Sequence, residues 1–443
     1  MKPVPVIIDT DPGVDDVLAL LLALSSPELE VLAIIATYDL IAPSTNIFKV
    51  YQVLSRHLDT YPSEKENWPN FSQKRKTTVS VGASRPLEGE IHSAQYFHGR
   101  DGLGEISERY PEFNIDPPFK STDTHPQLEL TTRSGIDVAI DLIHSESARS
   151  ITYIALGPLT TLAQLNRREP DLLGDRIGSV MIMGGALDVP GNTSPVAEFN
   201  FFADPYAVHE LFTPNSGPGS SHPLPVDRTI LLPLDITTPH ELPFPQYQDL
   251  VDPSLVHPSQ SPPSGVDHAR GSPLVHFTTA FLEKTREIMI QFGKDAMELH
   301  DICAVWCAID NPPRKGFSED VVNVDLKDGW KVLKRKFQIE RTGELTRRML
   351  VIDRRDDQGA YAPGSNRAEV QAELEKHNFH THGLFESTAV PVQVDVEDAS
   401  MAHPPSTTTK GKDTGQGVNV VMATPGPDKL LKLMMRRVWG IGR

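Results

Sequence analysis

Only two cysteines occur in the 443 residues, Cys303 and Cys307. Two thiols one helical turn apart pack as small apolar side chains, and a disulfide framework or a zinc site would need more ligands. Reducing surroundings suit them, so the expected location is cytoplasmic. There is no run of about 18 apolar residues, so no membrane span is expected. The apolar run in Met1–Gly13 is too short for a signal peptide and reads as a first strand. Basic residues are in deficit, with 42 Lys and Arg against 59 Asp and Glu and a net charge of −17. Broad attraction to nucleic acid or to an anionic membrane is therefore not expected. Internal repeats and a Walker-type glycine loop are also absent, and no basic cluster for phosphate lies near the aspartates. A metal-dependent phosphohydrolase is accordingly a weak reading.

What is present is an alternation of strand-like and helix-like segments. Val4–Ile8, Val31–Ala36, Thr77–Gly82, Ile151–Leu156 and Val180–Met183 are short β-rich runs. Helical spacing separates them, at Val17–Leu22, Ile136–Ile143 and Leu159–Leu165. This pattern predicts an α/β fold: an open, mostly parallel, doubly wound sheet with helices on both faces. Ligands in such sheets bind beyond the carboxyl ends of the strands. One domain over 1–443 is expected, interrupted by surface insertions at 59–76, 213–227, 252–273 and 354–417, the last with a possible strand at Val390–Val396. The amphipathic Lys429–Trp439 segment reads as a helix docking Leu430, Leu433 and Met434 on the core. Phe277 and Phe281, one turn apart, read as core residues.

The most informative stretch is Asp9-Thr10-Asp11-Pro12-Gly13-Val14-Asp15-Asp16, with four carboxylates in eight residues. Pro12 and Gly13 turn the chain sharply, so Asp11 before the turn and Asp15 and Asp16 after it converge from two sides. Carboxylates brought this close repel unless a cation or protons separate them. Hard oxygen ligands suit Ca²⁺ or Mg²⁺ rather than zinc. An ordinary acidic helix cap would account for one or two of these aspartates, though not for four around one turn.

Further motifs follow in order: Gly82-Ala-Ser-Arg-Pro-Leu87, His98-Gly-Arg-Asp-Gly-Leu-Gly104, Ala155-Leu-Gly-Pro-Leu-Thr-Thr-Leu-Ala163, Met183-Gly-Gly-Ala186, Gly191-Asn192, Val196-Ala-Glu-Phe-Asn200, Asp204-Pro205 and Leu299-His-Asp-Ile-Cys-Ala-Val305. Together with the aspartate turn they resemble the inosine-uridine preferring nucleoside hydrolase family, over about residues 4–352. The resemblance implies calcium-dependent hydrolysis of the N-glycosidic bond of ribonucleosides to ribose and free base. It implies Ca²⁺ held by Asp11, Asp16, Asp301 and the backbone carbonyl of Leu156, with Asp11 also the general base for the attacking water. Asp15, Asn192, Glu198 and Asn200 would hold the ribose hydroxyls. His98 and His300 would line the leaving-base side, with His300 the candidate proton donor and His98 assisting. A small nucleoside is the implied partner, and a homodimer or homotetramer the implied assembly.

Glu198 and Asn200 flank Phe199, so in an extended segment both would point the same way. Asn192 could be a turn residue, His300-Asp301 a helix start, and His98 alone a structural histidine. One departure stands out: the family's Gly-Asn pair after the second strand is replaced by Thr37-Tyr38-Asp39, and the stretch to Asn46 is shortened. Asp39 would take the asparagine's place beside the ribose, or the position is lost. That departure supports an alternative from another class, a calcium-dependent nucleoside-binding protein with reduced or lost catalysis.

Overall fold

The computed structural model describes residues 2–38, 43–115, 125–213, 224–259, 271–313, 326–352 and 417–442. The chain divides into two compact units, Met1–Val351 with Gly417–Arg443, and Ile352–Gln416. All but Ile352 of the second unit lies outside the described residues, as do Val390–Val396 and most of the 354–417 insertion.

In chain order the strands are β1 (Val4–Thr10), β2 (Leu29–Ala36), β3 (Thr77–Val81), β4 (Leu128–Ser134), β5 (Thr152–Ala155), β6 (Ser179–Met183), β7 (Thr229–Leu232), β8 (Glu241–Pro243), β9 (Ala296–Glu298), β10 (Lys331–Arg335), β11 (Gln338–Ile339), β12 (Leu350–Val351) and β13 (Val418–Ala423). Nine of them form one sheet in the order β10-β13-β7-β6-β5-β1-β2-β3-β4. Each neighbouring pair is parallel except β10 with β13. The chain winds outward from β1 through β2, β3 and β4, then returns to β5 on the other side of β1. The topological switch point therefore lies between β1 and β5, where Asp9 is in register with Ala155. A crevice opens there at the strand ends, because the connections leave in opposite directions.

β1 and β2 are almost wholly buried, as strands covered on both faces must be, and their sequences are accordingly continuous apolar runs. The Val14–Leu24 helix is buried nearly all round and packs against the His300–Asp310 helix. It stops where Ser25 and Ser26 turn their hydroxyls onto the Leu22 carbonyl at 3.1 and 2.6 Å, supplying partners for the orphaned end of the helix. The C-terminal Pro427–Val438 helix buries Leu430 and Met434, with Leu433 packed at the edge. Arg437 pins it to Glu28 with two bonds of 2.7 and 2.8 Å. Phe277 and Phe281 are buried core residues in edge-to-face contact.

One insertion is not the polar surface segment expected. Within 59–76, Trp68, Asn70 and Phe71 are buried. Asn70 donates to the Ala23 and Ser26 carbonyls at 2.9 and 2.8 Å. Polar flanks conceal an anchor that closes the end of the first helix. Most of 213–227 and half of 252–273 fall outside the described residues, although Leu224, Ser254 and Leu255 at their margins are buried. No helix among the described residues is long and apolar enough to cross a membrane.

Candidate active site

A cavity of about 700 Å³ occupies the switch point. It is lined by Asp11, Asp15, Asp16, His98, Leu156, Asn192, Glu198, Asn200, His300 and Asp301, which brings together all the predicted site residues that are described. Asp39 lies outside the described residues.

The carboxylates come from two helix starts and one strand end. Asp15, Asp16 and Asp301 each offer an oxygen, and these oxygens lie within 4.8 Å of one another. Asp15, expected on the ribose, thus stands among the candidate metal ligands, while Asp11 lines the cavity beside this trio. Asp16 accepts from the Thr10 hydroxyl and from the Gly13 N–H at 3.0 Å, which fixes both its oxygens. Gly157, in the loop after β5, packs so tightly on Asp11 that a β-carbon there would fall 2.5 Å from Oδ1. Burial first, then repulsion from Asp16 and Asp15, drives the Asp11 pKa well above the usual carboxylate range. Asp301 is raised in the same way, by burial and then by Asp15, Asp16 and Asp11. Asp16 is raised by burial and by Asp15. A divalent cation removes this repulsion, and an all-oxygen donor set fits a hard one.

Asp9 carries support that the sequence reading missed. It is buried on β1, accepting from the Thr37 hydroxyl and from Tyr153 Oη at 2.8 Å. Burial raises its pKa to about 7 despite those bonds. Thr37, from the departing segment, therefore braces the strand beneath the aspartate turn.

Glu198 and Asn200 do not lie in an extended segment. Glu198 is the N-cap of a short Phe199–Ala203 helix. Its carboxylate accepts from the N–H groups of Gly185, Asn200 and Phe201 at 2.7, 2.7 and 3.0 Å. Those donors satisfy the helix start and leave one buried anion facing the cavity, although burial still raises its pKa. Asn200 donates to the Leu156 carbonyl at 2.5 Å and the Met183 carbonyl at 3.2 Å. The Leu156 oxygen is thereby held toward the site. Asn192 accepts from the Phe199 N–H at 3.0 Å, which ties its loop to the same helix.

The two histidines differ in what holds them. His98 Nδ1 accepts from the Val14 N–H at 3.2 Å and its Nε2 lies 3.9 Å from Asp15. It therefore sits over the first helix start, and Gly13 leaves room for its ring: a β-carbon there would meet the imidazole at 2.7 Å. His300 is bound at both nitrogens, Nδ1 to Thr237 Oγ1 at 2.8 Å and Nε2 to Glu298 at 3.0 Å. Glu298 stands opposite Glu241 in the β8–β9 pair, and Lys294 bridges the two carboxylates at 2.6 and 2.7 Å. Burial opposes ionisation of Glu298, but His300 and Lys294 hold its carboxyl down at about 2. Neither Thr237 nor Glu298 was singled out from sequence. Glu298, two positions before His300, was the only local signal available.

Loop contacts complete the enclosure. Asn46 donates to the Pro12 and Asp101 carbonyls at 2.9 and 2.8 Å. Asp101 in turn accepts from the N–H groups of Leu103, Glu105 and Ser107. The motif at 98–104 is thus a folded turn locked onto the aspartate turn.

Residues 6–397 match the inosine-uridine preferring nucleoside hydrolase family. Among curated relatives, the inosine-uridine preferring nucleoside hydrolase of Leishmania major is 34% identical over 210 residues, covering 47% of this chain and 57% of the relative. Uridine nucleosidase 1 of Arabidopsis thaliana is 31% identical over 208 residues, covering 47% and 52%. The pyrimidine-specific ribonucleoside hydrolase RihA of Salmonella typhi is 34% identical over 211 residues, covering 47% and 56%. The aligned region spans about half the length of each curated relative. Two solved structures share the fold at 20% identity: a plant nucleoside hydrolase (TM-score 0.58, 99% of both chains) and a purine-preferring ribonucleoside hydrolase from Gardnerella vaginalis (TM-score 0.59, 98% of both).

Proposed function

Because the chain belongs to the inosine-uridine preferring nucleoside hydrolase family, we propose that it hydrolyses the N-glycosidic bond of ribonucleosides, giving ribose and free base. The observation that carries this reading is the convergence of Asp11, Asp15, Asp16 and Asp301 with Glu198 and Asn200 in one cavity at the switch point. Breaking the bond leaves positive charge on the ribose C1′ and ring oxygen, and carboxylates placed around the sugar stabilise that charge.

Each residue then has a task. Asp11, its pKa raised well above the usual carboxylate range by burial and by neighbouring aspartates, is the general base that takes a proton from the attacking water. Glu198, Asn200, Asn192 and Asp15 bind ribose hydroxyls. His300 delivers a proton to the leaving base, and Glu298 and Thr237 hold its ring in place for that purpose. His98 orders Asp15 and the first helix start. Asp11, Asp16, Asp301 and the Leu156 carbonyl would hold Ca²⁺, with an Asp15 oxygen within 4.8 Å of those of Asp16 and Asp301. When bound, the cation supplies fixed positive charge that orients sugar hydroxyls and lowers the pKa of nearby water. We also assign the protein to the cytoplasm, where the free thiols of Cys303 and Cys307 stay reduced, and to a homodimer or homotetramer by likeness to the family.

The test is release of free ribose from inosine, uridine and adenosine, with calcium and after chelation with EGTA. Release that chelation abolishes and calcium restores is the expected result, with the rates ranking the bases. Folded, calcium-loaded protein that binds nucleosides without releasing ribose would instead make it a binding protein.

A further inference from the structure

Tyr38 is the second residue beyond β2 and, among the described residues, one of four non-glycine residues with positive φ, at 56°. Left-handed backbone is costly for a bulky aromatic and persists only where surrounding structure enforces it, most often at ligand sites. The enforcement is visible. The Tyr38 N–H donates to the Ala83 carbonyl at 2.7 Å, and the Thr37 N–H to the Thr10 carbonyl at 2.9 Å. The Tyr38 hydroxyl lies 2.9 Å from Thr160 Oγ1, which donates to Asp204 at 2.6 Å. Thr160 has spent its hydrogen on that carboxylate, so Tyr38 is the donor in the first bond. Asp204 is itself held by the N–H groups of Leu87 and Ala207.

This tether shows which part of the side chain meets the cavity. Tyr38 lines the cavity and Thr160 does not, so the hydroxyl end is anchored behind the wall and the ring forms the wall. The residue as a whole is 8% exposed, and Asp11, Leu156 and Asn200 line the same cavity. Those neighbours offer oxygens and amides to sugar hydroxyls. None of them offers a flat apolar surface to the sugar's C–H face. Aromatic rings supply that surface with little conformational entropy to lose.

We propose that Tyr38 is a substrate-positioning residue of the ribose subsite, its ring packing on the sugar. This rests on the nucleoside hydrolase reading. It gives a role to the segment that departs from the family's Gly-Asn pattern, since the strained backbone is what turns the ring into the cavity.

The experiment compares the full-length calcium-loaded protein with Tyr38→Gly, Tyr38→Ala and Tyr38→Phe. The readouts are kcat and KM for inosine, the inhibition constant of free ribose, calorimetric binding of ribose, and the thermal midpoint. Gly and Ala are expected to weaken ribose binding and raise KM by a common factor of about tenfold, with Phe recovering most of the loss. Gly suits the positive φ better than Tyr does, so a folded variant without the ring is available even if Ala is unstable. Ribose binding by the Gly variant within about twofold of wild type would overturn the proposal. So would a Phe variant as weak as Gly, because the hydroxyl tether alone would then be at work. Wild-type protein that releases no ribose would sink the hydrolase reading instead, and ribose calorimetry would still judge Tyr38.

Discussion

At the scale of single residues, the site separates charge handling from proton handling. Asp11 is wedged against Gly157 and raised in pKa by burial and then by Asp16, Asp15 and Asp9, which suits a base better than an ordinary carboxylate does. Asp11→Asn is expected to lower kcat for inosine by about 10²–10⁴-fold in protein that stays folded. A loss below tenfold in a ribose-release assay would remove the base assignment. His300 differs in kind, since its two nitrogens are already engaged by Thr237 and Glu298. His300→Ala should slow inosine cleavage while sparing a nitrophenyl riboside, whose leaving group needs no proton. Equal losses on both substrates would refute proton delivery by this residue.

At the scale of elements, precision comes from loops packed at van der Waals limits. The β5 loop reaches Asp11 only because residue 157 lacks a β-carbon, which would stand 2.5 Å from the carboxylate oxygen. Gly157→Ala should displace Asp11 and cost about 10²-fold in kcat/KM with little change in thermal midpoint. Activity near wild type would show that the loop yields freely. The element most easily misread from sequence is the 59–76 segment. Its charged and proline-rich flanks look like surface, yet Trp68 is 1% exposed. Trp68→Ala should therefore cost about 3–5 kcal/mol in urea unfolding, as for a core aromatic, and a change below 1 kcal/mol would place it at the surface.

At the scale of the whole molecule, an acidic protein concentrates unfavourable charge at the site, which a bound cation would offset. Asp9, Asp11, Asp16, Glu198, Asp204 and Asp301 all have raised pKa values, with burial the leading cause. A carboxyl with a folded pKa above its unfolded value binds its proton more tightly when folded. The resulting stability is full below the unfolded pKa, near 3.8 for aspartate, and is lost as pH rises through the folded one, about 7 for Asp9. Chelated protein should accordingly lose thermal stability between pH 5 and 8. Calcium should restore more of it at pH 8, because deprotonated ligands bind more tightly. Thermal midpoints that are flat or rising over this range in EGTA would contradict the account. Glu298 works the other way. Held near 2, it stabilises the fold above its unfolded pKa of 4.5 and ceases to do so as pH falls toward 2.

Local sequence determined the parallel α/β architecture, the aspartate turn and the identity of most cavity residues. Strand periodicity, Pro-Gly turn chemistry and clustered carboxylates are short-range signals that no distant contact has to supply. Only the tertiary structure decided what those side chains bind. Glu198 and Asn200 look alternate in sequence, but the backbone donors of Gly185, Asn200 and Phe201 draw them into a helix start. Asp15 joins Asp16 and Asp301 because two helices nearly 290 residues apart in sequence pack their starts together. Glu298 and Thr237 carry no motif, and the motif that holds Asp9 and the departure that holds Tyr38 do not say what either side chain binds. Their importance comes from partners brought close by packing, and a hydrogen bond across the fold leaves no spacing in the chain by which to read it.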